Sequence, residues 1–320
     1  MKTMTGMSAI RDALYSEMER DENVFLMGED VVRSMFGTSA GLVEAFGIER
    51  VRDTPLSEAA FVGAAVGAAM TGMRPVVEMS LTSFMYVAMD QFISMAAKTT
   101  YTYGGQFKVP VVFMATMTYG VNNAAQHSDR PFPMFMNVPG FKILVPTNPA
   151  DTYGLLRSAI RDDDPVLIFT DGTTGFQKVE VDEDLLVPIG KAAVVREGTD
   201  VTIVGVSGGV VYALAAAEEL EKEGISAEVI DPRTLVPLDK KCILDSVEKT
   251  GRLVAVDIAH KTCSAASEIS SIVAQDAFHA LKGPIQVVAT DDVPVPFSPS
   301  LEMQIFPSPE KVVAAVKALF

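Results

Sequence analysis

The chain has 320 residues, of which 48% are hydrophobic, and its Lys+Arg 26 against Asp+Glu 41 give a formal net charge of −15. This acidic balance opposes binding to nucleic acid or anionic membranes, and no apolar run is long enough to cross a bilayer, so small molecules and proteins are the expected partners. Cys242 and Cys263 are too few for a disulfide framework, and the N-terminal residues lack the apolar core of a secretory signal. These features favour the cytoplasm.

Apolar spacing divides the first half of the sequence into alternating helices and strands. Residues 8–20 carry apolar side chains at helical spacing, which predicts a helix, and the apolar run 24–27 predicts a buried strand. A second helix is expected over 37–46. Further along we expect a strand over 74–78, a helix over 84–98, strands over 109–114 and 142–145, a helix over 149–161 and a strand over 165–170. This alternation is typical of a parallel sheet with helical crossovers.

The segment 59–72 is the most apolar helix candidate. It contains no ionisable side chain, and its glycines and alanines allow close backbone packing, so we expect a buried helix. Ser57 is expected to cap the start of this helix, and Gly72 to end it in the left-handed conformation. Glu58 then lies on the first turn, where a carboxylate complements the helix dipole. From these residues alone, a purely structural role for Glu58 stays open.

Between about residues 171 and 190 the regular pattern lapses into an acidic connector, and we place the domain boundary there, giving domains 1–185 and 186–320. The second domain alternates again, which predicts another parallel sheet with right-handed crossovers. Its expected elements are strands over 201–206, 227–230, 253–257 and 285–289 and helices over 211–222, 240–249, 264–280 and 309–319. The sequence therefore predicts an α/β fold of two doubly wound domains.

Two polar positions lie where a site is expected. Gly28-Glu29-Asp30 ends the first strand in acids, and ligands of an open parallel sheet bind beyond the carboxyl ends of its strands. His127 lies in a loop that follows another buried strand, and it is one of only 3 histidines. Ordinary surface acids and a structural histidine are the alternatives at this point.

Several common site motifs do not fit. The glycines at 205–209 follow a strand and precede a helix, but their spacing is wrong for a dinucleotide-binding turn. There is no phosphate-binding GK[ST] loop. The two cysteines form no recognisable metal-ligand cluster.

A set of short motifs is spread over nearly the whole chain. They are GEDV at 28–31, DTPLSE at 53–58, VGAA at 66–69, GMRP at 72–75, AQHS at 125–128, SAIRD at 158–162, DPRT at 231–234, DSVEKTGR at 245–252 and PVPFS at 294–298. Together they resemble the beta subunit of thiamine-diphosphate-dependent 2-oxo acid dehydrogenases, the group that includes pyruvate, branched-chain and acetoin dehydrogenases. By this resemblance, 1–185 is a pyrimidine-binding domain and 186–320 is a transketolase-like C-terminal domain.

The resemblance implies roles for four side chains. Glu58 matches the glutamate that hydrogen-bonds the aminopyrimidine ring of thiamine diphosphate and favours its imino tautomer. Phe84 matches the aromatic residue that packs on that ring. His127 matches the histidine near the reacting carbon, which assists acyl transfer to lipoyl groups. Glu29 is similar to a member of the acidic, water-filled path between paired cofactors.

The resemblance also implies what this chain shares with partners. The superfamily binds the diphosphate and Mg²⁺ through a GDG motif that this sequence lacks, so an alpha subunit is expected to hold them in a heterotetramer of two alpha and two beta chains. A lipoyl-bearing acyltransferase is the other expected partner. Oxygen atoms of five residues resemble a structural potassium site: Val111, Ala159, Ile160, Asp162 and Asp164.

The expected function is therefore that of a catalytic beta subunit. With its alpha partner it would decarboxylate pyruvate or a branched-chain 2-oxo acid, or cleave acetoin, and pass the acyl group to a lipoyl carrier. The alternative is a non-catalytic scaffold subunit, or a transketolase-like enzyme without a lipoyl partner. The presence of Glu58, Phe84 and His127 favours the catalytic subunit.

Overall fold

The computed structural model describes residues 1–320, which form two compact units. The first consists of Met1–Thr118 and Met134–Ile189, and the second of Tyr119–Pro133 and Gly190–Phe320. The segment Tyr119–Pro133 therefore packs as part of the second unit, although it lies within the first half of the sequence. None of the helices is both long enough and apolar enough to pass through a membrane.

The strands and helices alternate over most of the chain. The strands are β1 (Lys2–Met4), β2 (Val24–Gly28), β3 (Val51–Asp53), β4 (Arg74–Leu81), β5 (Val112–Met117), β6 (Lys142–Leu144), β7 (Val166–Asp171), β8 (Val179–Val181), β9 (Ala193–Arg196), β10 (Val201–Val206), β11 (Ala227–Asp231), β12 (Thr234–Val236), β13 (Leu253–His260) and β14 (Gln286–Thr290). The helices are α1 (Gly6–Arg20), α2 (Leu42–Phe46), α3 (Glu58–Met70), α4 (Thr99–Thr102), α5 (Ala124–His127), α6 (Phe132–Met136), α7 (Pro149–Arg161), α8 (Gly209–Lys222), α9 (Lys240–Thr250), α10 (Ala265–Asp276), α11 (Pro299–Ile305) and α12 (Pro309–Lys317).

The first unit is built on a parallel sheet with the strand order β6-β7-β5-β4-β2-β3. Helices α1 and α7 pack against each other, and their apolar side chains form a buried core with those of the sheet. Glu17 of α1 is fully buried there and accepts hydrogen bonds from Arg157 at 3.0 Å and Arg161 at 2.7 Å. The charge is thus paired, which makes its burial tolerable.

The second unit contains a smaller sheet with the order β14-β13-β10-β11-β9. All neighbouring pairs are parallel except the edge pair of β11 and β9. Helices α8 and α12 pack together, and their buried alanines, valines and leucines form a core with those of the strands. Parallel α/β sheets in both units confirm the predicted fold class.

Three predicted segments differ from the structure in kind, whereas others differ only in their bounds, such as the strand expected over 109–114, which is found at Val112–Met117. The helix expected over 37–46 is present only at Leu42–Phe46, because Gly37 and Gly41 have φ of 77° and 81° and interrupt it. The helix expected over 84–98 is a 3₁₀ segment, Thr82–Ala88, followed by a π-helical segment, Gln91–Ala96. The connector contains a strand, β8, which pairs with β1 in antiparallel fashion.

Helix α3 was predicted within two residues of its bounds, but two details were wrong. The side chain of Ser57 makes no capping hydrogen bond. The helix is also not buried all round, because Ala60, Ala64 and Gly67 are exposed on one face of the single chain. The C-terminal end of the helix is as predicted, because Gly72 follows it with a left-handed backbone, at a φ of 98°.

Candidate active site

Three of the predicted site residues follow neighbouring strands of the first sheet. Glu29 comes directly after β2, Glu58 begins α3 after β3, and Phe84 lies on the 3₁₀ segment after β4. Strands β3, β2 and β4 are adjacent and parallel, so their carboxyl ends lie at one edge of the sheet. This edge is where an open parallel sheet places its ligands.

A close approach of two strands shapes this edge. Gly28 pairs with Glu78, and a Cβ added at Gly28 would lie 2.4 Å from the carbonyl oxygen of Glu78. Only glycine fits there. The carbonyl of Gly28 also accepts a hydrogen bond from the backbone N–H of Thr54 at 2.9 Å. That bond fixes the loop that leads from β3 into α3 and so helps to place Glu58.

Glu29 and Glu58 interact electrostatically. Burial raises the pKa of Glu29 above its ordinary value, and the negative charges of Glu58 and Asp30 raise it further. Oε1 of Glu29 is buried and has no hydrogen-bond partner in the protein. A buried acceptor of this kind is expected to be satisfied by a ligand or ordered water. The edge of the sheet therefore presents two interacting carboxylates, and one oxygen of Glu29 is free to accept a further hydrogen bond.

Phe84 completes an arrangement suited to a flat, polar ring. Its side chain is half-buried, and the 3₁₀ segment that carries it packs against α3, the helix that begins at Glu58. An aromatic face favours stacking with another ring, and carboxylate oxygens accept hydrogen bonds from ring N–H and amino groups. These residues fit the aminopyrimidine part of thiamine diphosphate.

Glu78 is a third acid at this edge, and unlike Glu29 and Glu58 it is buried. Burial raises its pKa to about 7, although hydrogen bonds from the Ser80 N–H at 3.2 Å and the Thr38 hydroxyl at 3.4 Å oppose the shift. Ser80 has a φ of 59°, at an irregularity in the pairing of β4 with β5. The available signal was an acid at the end of the apolar run 74–78.

His127 belongs to the second unit. It is the last residue of α5, and its side chain is half-buried. The loop before it has three residues with left-handed backbone: Gly120, Asn122 and Ala124. The structure thus places Glu29, Glu58 and Phe84 at one sheet edge of the first unit, and His127 on a segment that packs with the C-terminal residues.

The predicted potassium ligands lie around the end of α7, where they already accept hydrogen bonds. The Arg74 guanidinium donates to the carbonyl oxygens of Ile160 at 3.0 Å and Asp162 at 2.8 Å. The Lys142 ammonium is 2.7 Å from the Asp162 carboxylate and 3.0 Å from that of Asp164. The carbonyl oxygens of the other two residues, Val111 and Ala159, accept from the backbone N–H groups of Val166 and Asp162. The potassium site stays a prediction.

Two protein-family profiles match the chain. Residues 2–173 match the transketolase pyrimidine-binding domain, and residues 190–312 match the transketolase C-terminal domain. The two matches fall on the two halves of the sequence and together span most of it.

Several known proteins are similar over the full length of the chain. The acetoin:2,6-dichlorophenolindophenol oxidoreductase subunit beta of Bacillus subtilis (strain 168) is 44% identical over 97% of this chain and 95% of that protein. The pyruvate dehydrogenase E1 component subunit beta of Rhizobium meliloti (strain 1021) is 43% identical over 100% of this chain and 70% of that protein. The 2-oxoisovalerate dehydrogenase subunit beta of Bacillus subtilis (strain 168) is 43% identical over 100% and 99%.

One solved structure shows the same fold. A split gene transketolase, described as an inactive beta4 tetramer, superposes with a TM-score of 0.84 over 99% of this chain and 98% of that chain. The sequence identity is 24%, so the similarity concerns the fold alone.

Proposed function

This chain belongs to the family of beta subunits of thiamine-diphosphate-dependent 2-oxo acid dehydrogenases, and from that premise we propose that it binds the pyrimidine half of the cofactor through Glu58, Glu29 and Phe84. The observation that carries the proposal is the carboxylate pair at the sheet edge, where one buried oxygen of Glu29 lacks a hydrogen-bond partner and where burial, together with the charge of Glu58, raises the pKa of Glu29. The family assignment rests on relatives that are 43% and 44% identical along the chain.

Each side chain has a defined task in this proposal. Glu58, on the first turn of α3, accepts a hydrogen bond from a ring nitrogen and holds or returns its proton. Glu29 keeps a proton to a higher pH than an exposed glutamate would, because burial and neighbouring charge disfavour its ionised form. Phe84 holds the plane of the ring by stacking. When bound, thiamine diphosphate supplies the carbon nucleophile that the cleavage of a 2-oxo acid or acetoin requires.

The reaction that follows from this premise is decarboxylation of pyruvate or a branched-chain 2-oxo acid, or cleavage of acetoin, with transfer of the acyl group to a lipoyl carrier. The names of the similar proteins support all three substrates. In this proposal His127 exchanges a proton with the lipoyl sulfur during acyl transfer, as a positioned imidazole can near neutral pH.

The proposed assembly is a heterotetramer of two alpha and two beta chains, in which the alpha subunit holds Mg²⁺ and the diphosphate. The uncharged exposed face of α3, formed by Ala60, Ala64 and Gly67, supports a subunit contact next to Glu58. Docking on a lipoyl-bearing acyltransferase, potassium binding around Asp162 and a cytoplasmic location remain predictions.

The test of this function is Glu58→Gln in the assembled complex. The amide keeps the shape of the side chain but cannot take up or return the ring proton, so turnover should fall by about 10²-fold or more. Folding and association with the alpha chain should persist. Exchange of the reactive cofactor proton, measured by acid-quench NMR, should slow by a similar factor.

Glu44→Gln is the matched control, because Glu44 is also a first-turn glutamate but is exposed on α2. A glutamate that only complements a helix dipole contributes roughly 0.3–1 kcal/mol of stability and nothing to turnover. If Glu58→Gln and Glu44→Gln are equally active, Glu58 has no catalytic role, and a scaffold subunit becomes the better description.

A further inference from the structure

The loop that precedes His127 has an unusual backbone. Gly120, Asn122 and Ala124 have φ of 68°, 63° and 54°, in the left-handed region that residues other than glycine rarely adopt. Such a conformation persists only where the surrounding structure holds it in place. The loop therefore needs contacts that fix its backbone.

Glu302 of α11 supplies those contacts. Its side chain is fully buried, and its two oxygens accept hydrogen bonds from two backbone N–H groups of the loop. Oε1 accepts from Gly120 at 2.8 Å, and Oε2 accepts from Asn122 at 2.9 Å. Backbone N–H groups that converge in this way form a concave anion site. Here the anion is the protein's own carboxylate, and these charge-assisted bonds compensate for its burial.

The other end of the segment is fixed independently. Nε of Arg130 donates to the carbonyl oxygen of Ile258 at 2.7 Å. The guanidinium also lies over the Phe306 ring, 4.9 Å from its centroid, and that ring packs on Tyr119 at a centroid distance of 5.3 Å. His127 thus lies between two attachment points, and both of them are contacts to C-terminal residues of the second unit.

We infer that Glu302 is a positioning residue for His127, which it controls through the Gly120 and Asn122 amides. The inference rests on the proposed function, since it assigns to the C-terminal domain the task of placing the acyl-transfer histidine. Glu302 itself contacts no reacting group in this account. Its effect arises because a displacement of about 1 Å can lower the rate of a positioned group by as much as 10²-fold.

The experiment is Glu302→Gln in the assembled complex. Glutamine keeps the shape and one acceptor oxygen, but its NH₂ group then faces one of the two N–H donors of the loop. Acyl transfer to lipoyl groups should fall by roughly 10- to 10²-fold. Decarboxylation measured with an artificial electron acceptor should be largely retained. Hydrogen–deuterium exchange in the peptide that spans 119–126 should accelerate, which is a local readout independent of activity.

Glu228→Gln is the matched control. Glu228 is a buried carboxylate of the same unit that accepts from the Gly198 N–H at 3.3 Å and pairs with Lys249. This variant should change neither acyl transfer nor exchange in 119–126. If Glu302→Gln behaves like Glu228→Gln in both assays, the inference is wrong.

A parallel His127→Ala variant separates this inference from the proposed function. It should lower acyl transfer by roughly 10²–10⁴-fold. If it does not, the role proposed for His127 fails, whereas the exchange measurement still decides whether Glu302 orders the loop. Should Glu302→Gln not fold, exchange in the wild-type complex gives the answer, because solvent-like exchange of the Gly120 and Asn122 amides would overturn the inference.

Discussion

Glu78 is a single residue whose ionisation affects the stability of the whole first unit. Its carboxyl group is buried at the end of β4, and burial raises its pKa from 4.5 to about 7. The folded protein therefore binds the Glu78 proton more tightly than the unfolded chain does. The contribution of Glu78 to the free energy of unfolding is therefore greatest below about pH 4.5, and it declines as the pH rises toward about 7.

We predict that Glu78→Gln removes this decline. The variant and the wild type should have the same denaturant midpoint at about pH 4, where Glu78 is neutral. At about pH 8 the variant should be more stable by up to about 3 kcal/mol. This value follows because the pKa of Glu78 is raised by about 2.5, and each pKa unit corresponds to about 1.36 kcal/mol. Asp257, whose pKa burial raises to about 6, is present in both proteins, so its contribution cancels. A constant difference at both pH values would contradict this account.

The position of a residue at the end of a strand can be predicted from the sequence, whereas its chemical role cannot. Glu29 and Glu58 follow strands, and the resemblance to a known family supplied their chemistry. Glu302 gave no such signal, because its importance comes from hydrogen bonds to residues 180 and 182 positions away. A buried acid that binds distant backbone N–H groups looks like any other helix glutamate in the sequence.

Helix α3 shows what a sequence can and cannot say about an element. The absence of charge over 59–72 predicted the helix and its apolar character, and the structure confirms both. It did not distinguish burial within the chain from exposure on one face. Phe61, Val62 and Ala65 are buried, whereas Ala64 and Gly67 are exposed. The composition of such a face resembles that of a core because both exclude charged side chains.

We predict that Ala64→Arg weakens assembly without unfolding the chain. Ala64 is exposed in the single chain, so the thermal midpoint of the isolated variant should hardly change. A charge placed in a subunit contact must be desolvated, and we expect the dissociation constant for the alpha subunit to rise by roughly 10-fold or more. The measurement is analytical ultracentrifugation of the mixed subunits. Ala274→Arg, on an exposed position of α10, should associate normally, and equal behaviour of the two variants would exclude α3 from the contact.

Strand β1 was not predicted from the sequence, because it depends on pairing with a distant segment. Strand β1 exists because Lys2, Thr3 and Met4 pair with Val181, Glu180 and Val179, far along the chain. Each of the two strands has only 3 residues, which is too few for an apolar pattern to predict a strand. Regular elements with local signals, such as α7 at Pro149–Arg161 and β10 at Val201–Val206, have the predicted bounds.

One segment of the chain packs with a unit other than that of its neighbours in the sequence. Tyr119–Pro133, which carries His127, packs with Gly190–Phe320 rather than with its sequence neighbours. The predicted boundary at residue 185 assumes that each domain is one continuous stretch of sequence. It therefore could not assign Tyr119–Pro133 to the second unit. The contacts of Glu302 and Arg130 give its physical basis.

We propose that the chain supplies only the pyrimidine half of a cofactor site and that a partner subunit completes this site. The direct measurement is titration calorimetry of thiamine diphosphate with Mg²⁺ into the isolated chain, and then into the chain mixed with the alpha subunit that co-purifies from the native source. We predict little or no binding heat for the isolated chain and tight binding for the mixture. Micromolar or tighter binding by the isolated chain would contradict the claim.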